Sequence, residues 1–167
     1  MVVHELHIEN EDVQKALFEV NDPEIPVLSV IDMGVIRKVE IQGQKINIDL
    51  TPTYSGCPAM DTIATDIKLA LDKLGYETTV NLVLAPAWTT DWITERGRQR
   101  LEAYGIAAPL EEGMDKRALF EDERIVKCPQ CQSSNTKLVS QFGSTACKAL
   151  FKCEDCLEPF DYFKCLK

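Results

Sequence analysis

Val35-Ile-Arg-Lys-Val-Glu-Ile41 and Lys45-Ile-Asn-Ile-Asp-Leu50, joined by Gln42-Gly43-Gln44, decide the fold of the longer part of the chain. Both runs are rich in Val and Ile, the residues that suit a pleated, half-buried surface. Ile46, Ile48 and Leu50 alternate with Lys45, Asn47 and Asp49, which puts one face on a core and the other in water. The stretch therefore reads as a β-hairpin with a single buried face.

Working outward, Asn10 to Val20 reads as a short helix. Asn10 can cap it, Glu11 and Asp12 suit its positive end, and Val13, Ala16, Leu17 and Val20 fall on one side. Asp22-Pro23-Glu24-Ile25-Pro26 is a turn or extended loop, because each proline biases its predecessor away from helix. Met33-Gly34 marks another turn. After the hairpin, Thr51 to Gly56 is a loop and Pro58 suits the first turn of a second helix. Its apolar stripe is Ile63, Ile67, Ala70, Leu71 and Leu74, ended by Gly75. Thr78 to Leu84 is a third strand. Thr94 can cap a helix over Glu95 to Tyr104, and Gly97 within it costs about 1 kcal/mol against alanine, so that helix depends on docking. The fold class is α+β: a small mixed β-sheet with helices packed on one face, followed by a C-terminal zinc-ribbon-like module. The expected domains are 1–104, a linker over 105–123 that contains Gly, Pro, Ala and a mixed charge cluster, and 124–167.

The module declares itself by cysteine. Of seven cysteines, six lie after residue 127. Cys128-Pro-Gln-Cys131 and Cys153-Glu-Asp-Cys156 are two knuckles with 21 residues between them, just beyond the usual zinc spacing of roughly 15 to 20. Two residues between cysteines let a tight turn aim both sulfurs at one ion, and two knuckles complete a tetrahedral sulfur site. About forty residues bury too little core to fold alone, whereas a structural zinc ion supplies roughly 10 kcal/mol or more. Leu138-Val139 and Leu150-Phe151 would form the short strands. Cys147 and Cys165 are either buried spare thiols or additional or alternative ligands, for instance of an iron–sulfur cluster, since thiolates suit zinc and iron alike.

The chain of 167 residues has a formal charge of -9. From Arg124 to Lys167 there are 7 basic and 4 acidic residues, so that segment is +3 and the remainder -12. An acidic body repels phosphate backbones and argues against nucleic acid as a partner. No apolar run approaches the roughly 18 residues of a membrane span. The acidic start, MVVHELHIENED, has neither a signal-peptide nor a transit-peptide pattern, and the expected location is the cytoplasm.

Cys57, in Thr51-Pro-Thr-Tyr-Ser-Gly-Cys57-Pro58, stands just before the second helix. A helix N-terminus stabilises a thiolate and raises its reactivity, and the alternative is an ordinary packed cysteine. The two histidines, His4 and His7, offer no evident base for cysteine catalysis. Asp22, Glu24 and Asp32 lie in loops that either cap turns or converge on Cys57. Trp88 and Trp92 read as packing residues more readily than as interface anchors.

Asp22-Pro-Glu-Ile-Pro26, Val30-Ile-Asp-Met-Gly-Val-Ile36 and Thr51 through Cys57-Pro58 resemble the motifs of the SufT-type iron–sulfur assembly factors, with Met33 in place of the common leucine. Across nearly the whole chain, the sequence resembles the PaaD (PaaJ) family of accessory subunits of the phenylacetyl-CoA epoxidase system. The motifs are Pro52 to Pro58, Pro86-Ala-Trp-Thr-Thr-Asp-Trp92, Phe142-Gly-Ser-Thr-Ala-Cys-Lys148 and Glu158-Pro-Phe-Asp-Tyr-Phe-Lys-Cys165. The resemblance implies a non-enzymatic accessory or maturation factor in aerobic phenylacetate catabolism, assisting iron–sulfur cluster assembly in a partner such as the reductase subunit. It makes Cys57 the candidate cluster-handling thiol, with Glu24 and Asp32 in support and zinc on the ribbon. Two alternatives stay open: a structural docking subunit, or an iron–sulfur electron-transfer protein using the C-terminal cysteines. Expected partners are the oxygenase and reductase subunits, with no membrane and no nucleic acid; oligomeric state is open, a homodimer included.

Overall fold

A computed structural model of the chain describes residues 8–110 and 126–164. They fall into two compact units: the described residues up to Trp88 together with Trp92–Gly97, and Thr89–Asp91 together with the described residues from Arg98 onward.

In the first unit, α1 (Glu11–Glu19) begins where Asn10 accepts the N–H groups of Asp12 and Val13 on its side-chain oxygen, at 2.9 and 3.1 Å. The hairpin follows as β1 (Ile36–Gln42) and β2 (Lys45–Leu50), paired antiparallel with Val39 opposite Ile48. Gln42 pairs with Lys45, which leaves a two-residue turn, and Gly43 takes φ +62° at the first turn position, where such a hairpin favours glycine. β3 (Glu77–Leu82) joins β2 in parallel, giving a mixed sheet of order β1-β2-β3. The connection is α2 (Ala59–Asp72), the helical crossover that parallel neighbours require. Ile46, Ile48 and Leu50 of β2 are buried, as are Val13 and Leu17 of α1 and Ile63, Ile67 and Leu71 of α2. Leu74, placed on the helical stripe by its spacing, falls beyond the end of α2 and is exposed.

The loop between α1 and β1 is as well packed as the sheet. Ile25, Leu28, Val30 and Met33 are buried. Asp22 accepts the N–H groups of Glu24 and Ile25 at 2.7 and 2.9 Å, the Asx-type turn that stabilises a Pro-containing loop. Gly34 has φ +69°, and a Cβ there would lie 2.3 Å from the Trp92 carbonyl oxygen, so only glycine permits the approach. Trp88 is buried and donates its indole N–H to the Met33 carbonyl at 3.0 Å, and the Arg37 guanidinium lies 3.5 Å over the Trp92 ring. Both tryptophans are thus packing residues.

Asp32 is the hub of this loop. Its carboxylate accepts hydrogen bonds from Ser29 Oγ (3.0 Å), Thr94 Oγ1 (2.7 Å), Arg96 Nε (3.0 and 3.1 Å) and Arg96 Nη2 (2.7 Å). The same Arg96 guanidinium lies 4.1 Å over the Phe18 ring. Thr94 caps α3 (Glu95–Tyr104) by accepting the Gly97 N–H at 3.0 Å. A Cβ at Gly97 would lie 3.0 Å from both the Asp32 carbonyl oxygen and Leu28 Cδ1, so the glycine lets the helix approach the loop closely.

The second unit is a four-stranded sheet of order β4-β7-β6-β5. Its strands are β4 (Ile106–Ala107), β5 (Thr136–Ser140), β6 (Lys148–Cys153) and β7 (Pro159–Phe163). β5, β6 and β7 form an antiparallel meander, and β4 adds to β7 in parallel. Residues 105–110, read from sequence as the start of a linker, therefore supply an edge strand of the ribbon sheet, and the rest of that segment lies outside the described residues. Phe151 meets Phe160 and Tyr162 at ring centroids of 5.9 and 5.6 Å, in a core with Ala107, Val126 and Ala149. Arg98 donates to the carbonyls of Thr90 and Pro109, and Tyr162 accepts the Leu110 N–H at 3.2 Å. No helix among the described residues is long and apolar enough to cross a membrane.

Burial raises the cost of ionising Asp32, but the hydrogen bonds from Arg96, Thr94 and Ser29 outweigh it and hold its carboxyl below the usual aspartate value. The unfolded chain thus binds the proton more readily, and this contribution to stability is complete above about pH 4 and is lost as pH falls through the lowered native value. Asp32→Asn is expected to lower stability at neutral pH by about 2–3 kcal/mol. It should also flatten the decline in stability below about pH 4; urea unfolding over a pH series measures both effects.

Candidate metal centre and the Cys57 loop

Two knuckles built alike form the metal centre. In the first, the Cys128 N–H donates to the Ser133 carbonyl at 2.9 Å and Gln132 takes φ +62°. In the second, the Cys153 N–H donates to the Glu158 carbonyl at 3.0 Å and Leu157 takes φ +66°. Each left-handed residue follows the second cysteine of its pair and turns the chain back on itself. The pairs meet because Thr136 lies opposite Cys153 in the β5–β6 ladder, bringing the strand that leaves the first knuckle beside the strand that enters the second. Asp155 locks them together, accepting from Asn135 Nδ2 at 2.7 Å and from the Ser133 hydroxyl, while the Glu154 N–H donates to the Asn135 carbonyl at 2.8 Å.

The four sulfurs all lie within 4.8 Å of one another. Cys128 Sγ is 3.7 Å from Cys156 Sγ, and Cys131 Sγ is 3.5 Å from Cys153 Sγ. A tetrahedral ion with metal–sulfur bonds of about 2.3 Å requires sulfurs about 3.8 Å apart, so the donor set fits one metal ion. Cys128 and Cys153 are buried, Cys156 is half-buried and Cys131 is exposed. N–H groups of Cys156 and Asp155 point at Cys153 and bring its thiol down to about 7, overcoming desolvation. The Glu158 N–H favours the Cys156 thiolate, but burial and the neighbouring Cys153, Cys131 and Cys128 outweigh it and push that thiol up to about 12. Four crowded sulfurs cannot all ionise alone, and a divalent cation removes the conflict.

Cys147 is not part of this group. It precedes β6 while Cys153 ends it, about 20 Å away along an extended strand. There it is buried, 3.1 Å from Thr145 Oγ1. Cys165, His4 and His7 lie outside the described residues.

Cys57 lies two residues ahead of α2, just before its N-cap Pro58, and is half-buried. The expected thiolate stabilisation at this helix end does not prevail. Burial pushes the thiol up first; the Ala59 N–H and the Thr53 hydroxyl pull the other way, and the charges of Asp22 and Glu24 add to the upward shift. Asp22 and Glu24 thus act on the thiol, whereas Asp32 is held by Ser29, Thr94 and Arg96. Sequence reasoning did not single out Thr53, Arg96, Ser133, Asn135 or Asp155. Asp155 alone carried a signal, being one of the two acids, with Glu154, inside the second knuckle.

The fold and the site define a class: an iron–sulfur-assembly-type α+β domain followed by a four-cysteine zinc-ribbon module. Residues 10–82 match the family described as iron–sulfur cluster assembly protein, and residues 112–164 match the PaaD zinc beta ribbon domain. A protein of Escherichia coli described as a putative component of the 1,2-phenylacetyl-CoA epoxidase is 49% identical over 152 residues, covering 90% of this chain and 89% of that protein. An Fe-S protein maturation auxiliary factor of Porphyromonas gingivalis is 32% identical over 54% of this chain and 89% of its own length. A crystal structure of a DUF59 protein from Bacillus anthracis matches with a TM-score of 0.51 and 25% identity, over 55% of this chain and 89% of that one. The chain belongs to the PaaD family.

Cys153→Ser is expected to abolish retention of stoichiometric metal, and Cys147→Ser to leave it unchanged; metal analysis of the purified variants reads both. Asp155→Ala should weaken metal binding by about tenfold or more by freeing the knuckles from each other, as competition with a chromophoric chelator would show.

Proposed function

We propose that this protein is a non-catalytic accessory and maturation factor of the phenylacetyl-CoA epoxidase system. In this reading its first unit assists the assembly or maintenance of an iron–sulfur cluster in a partner such as the system's reductase, and its ribbon carries zinc as a structural ion. What carries the reading is one chain that joins near-full-length likeness to an epoxidase component with an iron–sulfur assembly domain containing Cys57. Its place of action is the cytoplasm, and its partners are proteins.

The chemistry around Cys57 suits a cargo-handling thiol better than a nucleophile. A thiol whose proton is held by burial and by two nearby carboxylates is neutral at physiological pH and spared from casual oxidation. Those carboxylates, which oppose a bare thiolate, favour the approach of a positively charged iron centre; its binding releases the proton. Asp32 supports the site at one remove, by holding the loop that follows Glu24.

Two measurements test the proposal. Protein purified without oxygen should contain one zinc per chain and no visible chromophore; stoichiometric iron with a brown absorption would replace this reading by electron transfer. Cys57→Ala should stay folded and keep its zinc, yet lower the cluster content of the reductase produced alongside it. Full cluster occupancy and normal epoxidation with that variant would leave only a docking role.

A further inference from the structure

The four sulfurs of the ribbon are not equally sheltered. Cys128 and Cys153 are buried and Cys156 is half-buried, whereas Cys131 is exposed. Its neighbours in the turn, Gln130 and Gln132, are exposed as well, so small molecules in water reach this sulfur first. Oxidation of cysteine follows exposure and thiolate character, and a sulfur that holds a metal ion is a thiolate. The thiols outside the ribbon's metal group lack that combination: Cys57 is half-buried and Cys147 is buried.

A second sulfur stands ready to complete the chemistry. Cys131 Sγ is 3.5 Å from Cys153 Sγ, across the gap between the knuckles. That neighbourhood is held by more than a shared ion. Thr136 pairs with Cys153 in the β5–β6 ladder, Asp155 accepts from Ser133 and Asn135, and the Glu154 N–H donates to the Asn135 carbonyl. These bonds run from knuckle to knuckle without passing through a sulfur, so they keep Cys131 beside Cys153 when the ion leaves.

We propose that Cys131 is a modification site for hydroperoxides, with Cys153 as its resolving partner, so that the ribbon exchanges its metal ion for a disulfide between its knuckles. The proposed function shares with this only zinc as the ribbon's ion. The Cys131 thiolate attacks the terminal oxygen of the hydroperoxide, and the O–O bond breaks. The sulfur becomes a sulfenic acid, while the other oxygen leaves with the electron pair and takes a proton from water. The Cys153 thiolate then attacks the Cys131 sulfur, forming the S–S bond and expelling hydroxide. Two electrons pass from the two sulfurs to the peroxide, and zinc keeps its charge because it has no redox chemistry. Half the donors are then lost to a site that needs all of them for a tetrahedral ion. The new bond joins the same two turns that the ion joined, and a thiol reductant reverses it.

Hydrogen peroxide added to the full chain loaded with zinc, beside a chromophoric chelator, tests this. Zinc should be released in step with disulfide, one ion for each bond formed. Peptide mapping without reduction should find Cys131 joined to Cys153. Dimedone, a trap for sulfenic acids, should label Cys131 at least about tenfold faster than Cys57 or Cys147. Dithiothreitol and fresh zinc should restore the starting metal content. In Asp155→Ala the knuckles are no longer held together, and the share of the Cys131–Cys153 bond should fall in favour of bonds within a knuckle. Zinc that stays bound while Cys57 or Cys147 is oxidised, a wild-type disulfide confined to one knuckle, or zinc loss that reduction does not reverse overturns the proposal. None of these readouts involves cluster maturation, so failure here is distinct from failure of the functional reading.

Discussion

A carboxylate taken almost wholly out of water has to be answered by donors, and at Asp32 the answer organises the first unit. Three side chains, Ser29, Thr94 and Arg96, converge on its two oxygens. Because Thr94 also caps α3 and Arg96 lies over Phe18, the same group fixes the start of one helix and covers a ring of another. The close approaches at Gly34 and Gly97 follow from that convergence, since a side chain at either would hold the surrounding segments apart. The Cys57 loop begins where β2 ends, and the acids that act on its thiol belong to the loop that Asp32 anchors.

The ribbon meets the same problem by different means. Its apolar core is a handful of residues around Phe151, too few for an independent domain of this size. The four sulfurs stand in for missing core, and the bonds of Asp155 to Ser133 and Asn135 keep the two knuckles in register. One unit is thus held by a buried charge with hydrogen-bonding partners, the other by a cluster of sulfurs that calls for a cation.

Much of this was legible in the residues. The hairpin, α1, α2 and the α3 cap were readable because local signals and hydrophobic period agreed, as at Asn10 and Thr94. The knuckles were readable because a metal site needs close spacing along the chain. What escaped notice depended on contacts far apart in sequence. Asp32 looked like a companion of Cys57, and nothing in the linear order tells that Arg96 engages it first. Position before a helix suggested a lowered thiol at Cys57, but burial and two carboxylates brought there by folding reverse the sign. β4 is two residues long, too short to show any period.

That two-residue strand also bears on how such a chain can be rearranged. Because Ile106 and Ala107 complete the ribbon sheet beside Asp161 and Tyr162, the cysteine-bearing piece is not a cassette that begins at its first knuckle. A recombination joint placed after Ala107 would transplant a three-stranded remnant with the flank of β7 laid bare and the Tyr162 core opened. The heritable unit of the ribbon thus starts upstream of its metal ligands, at Ile106 and Ala107.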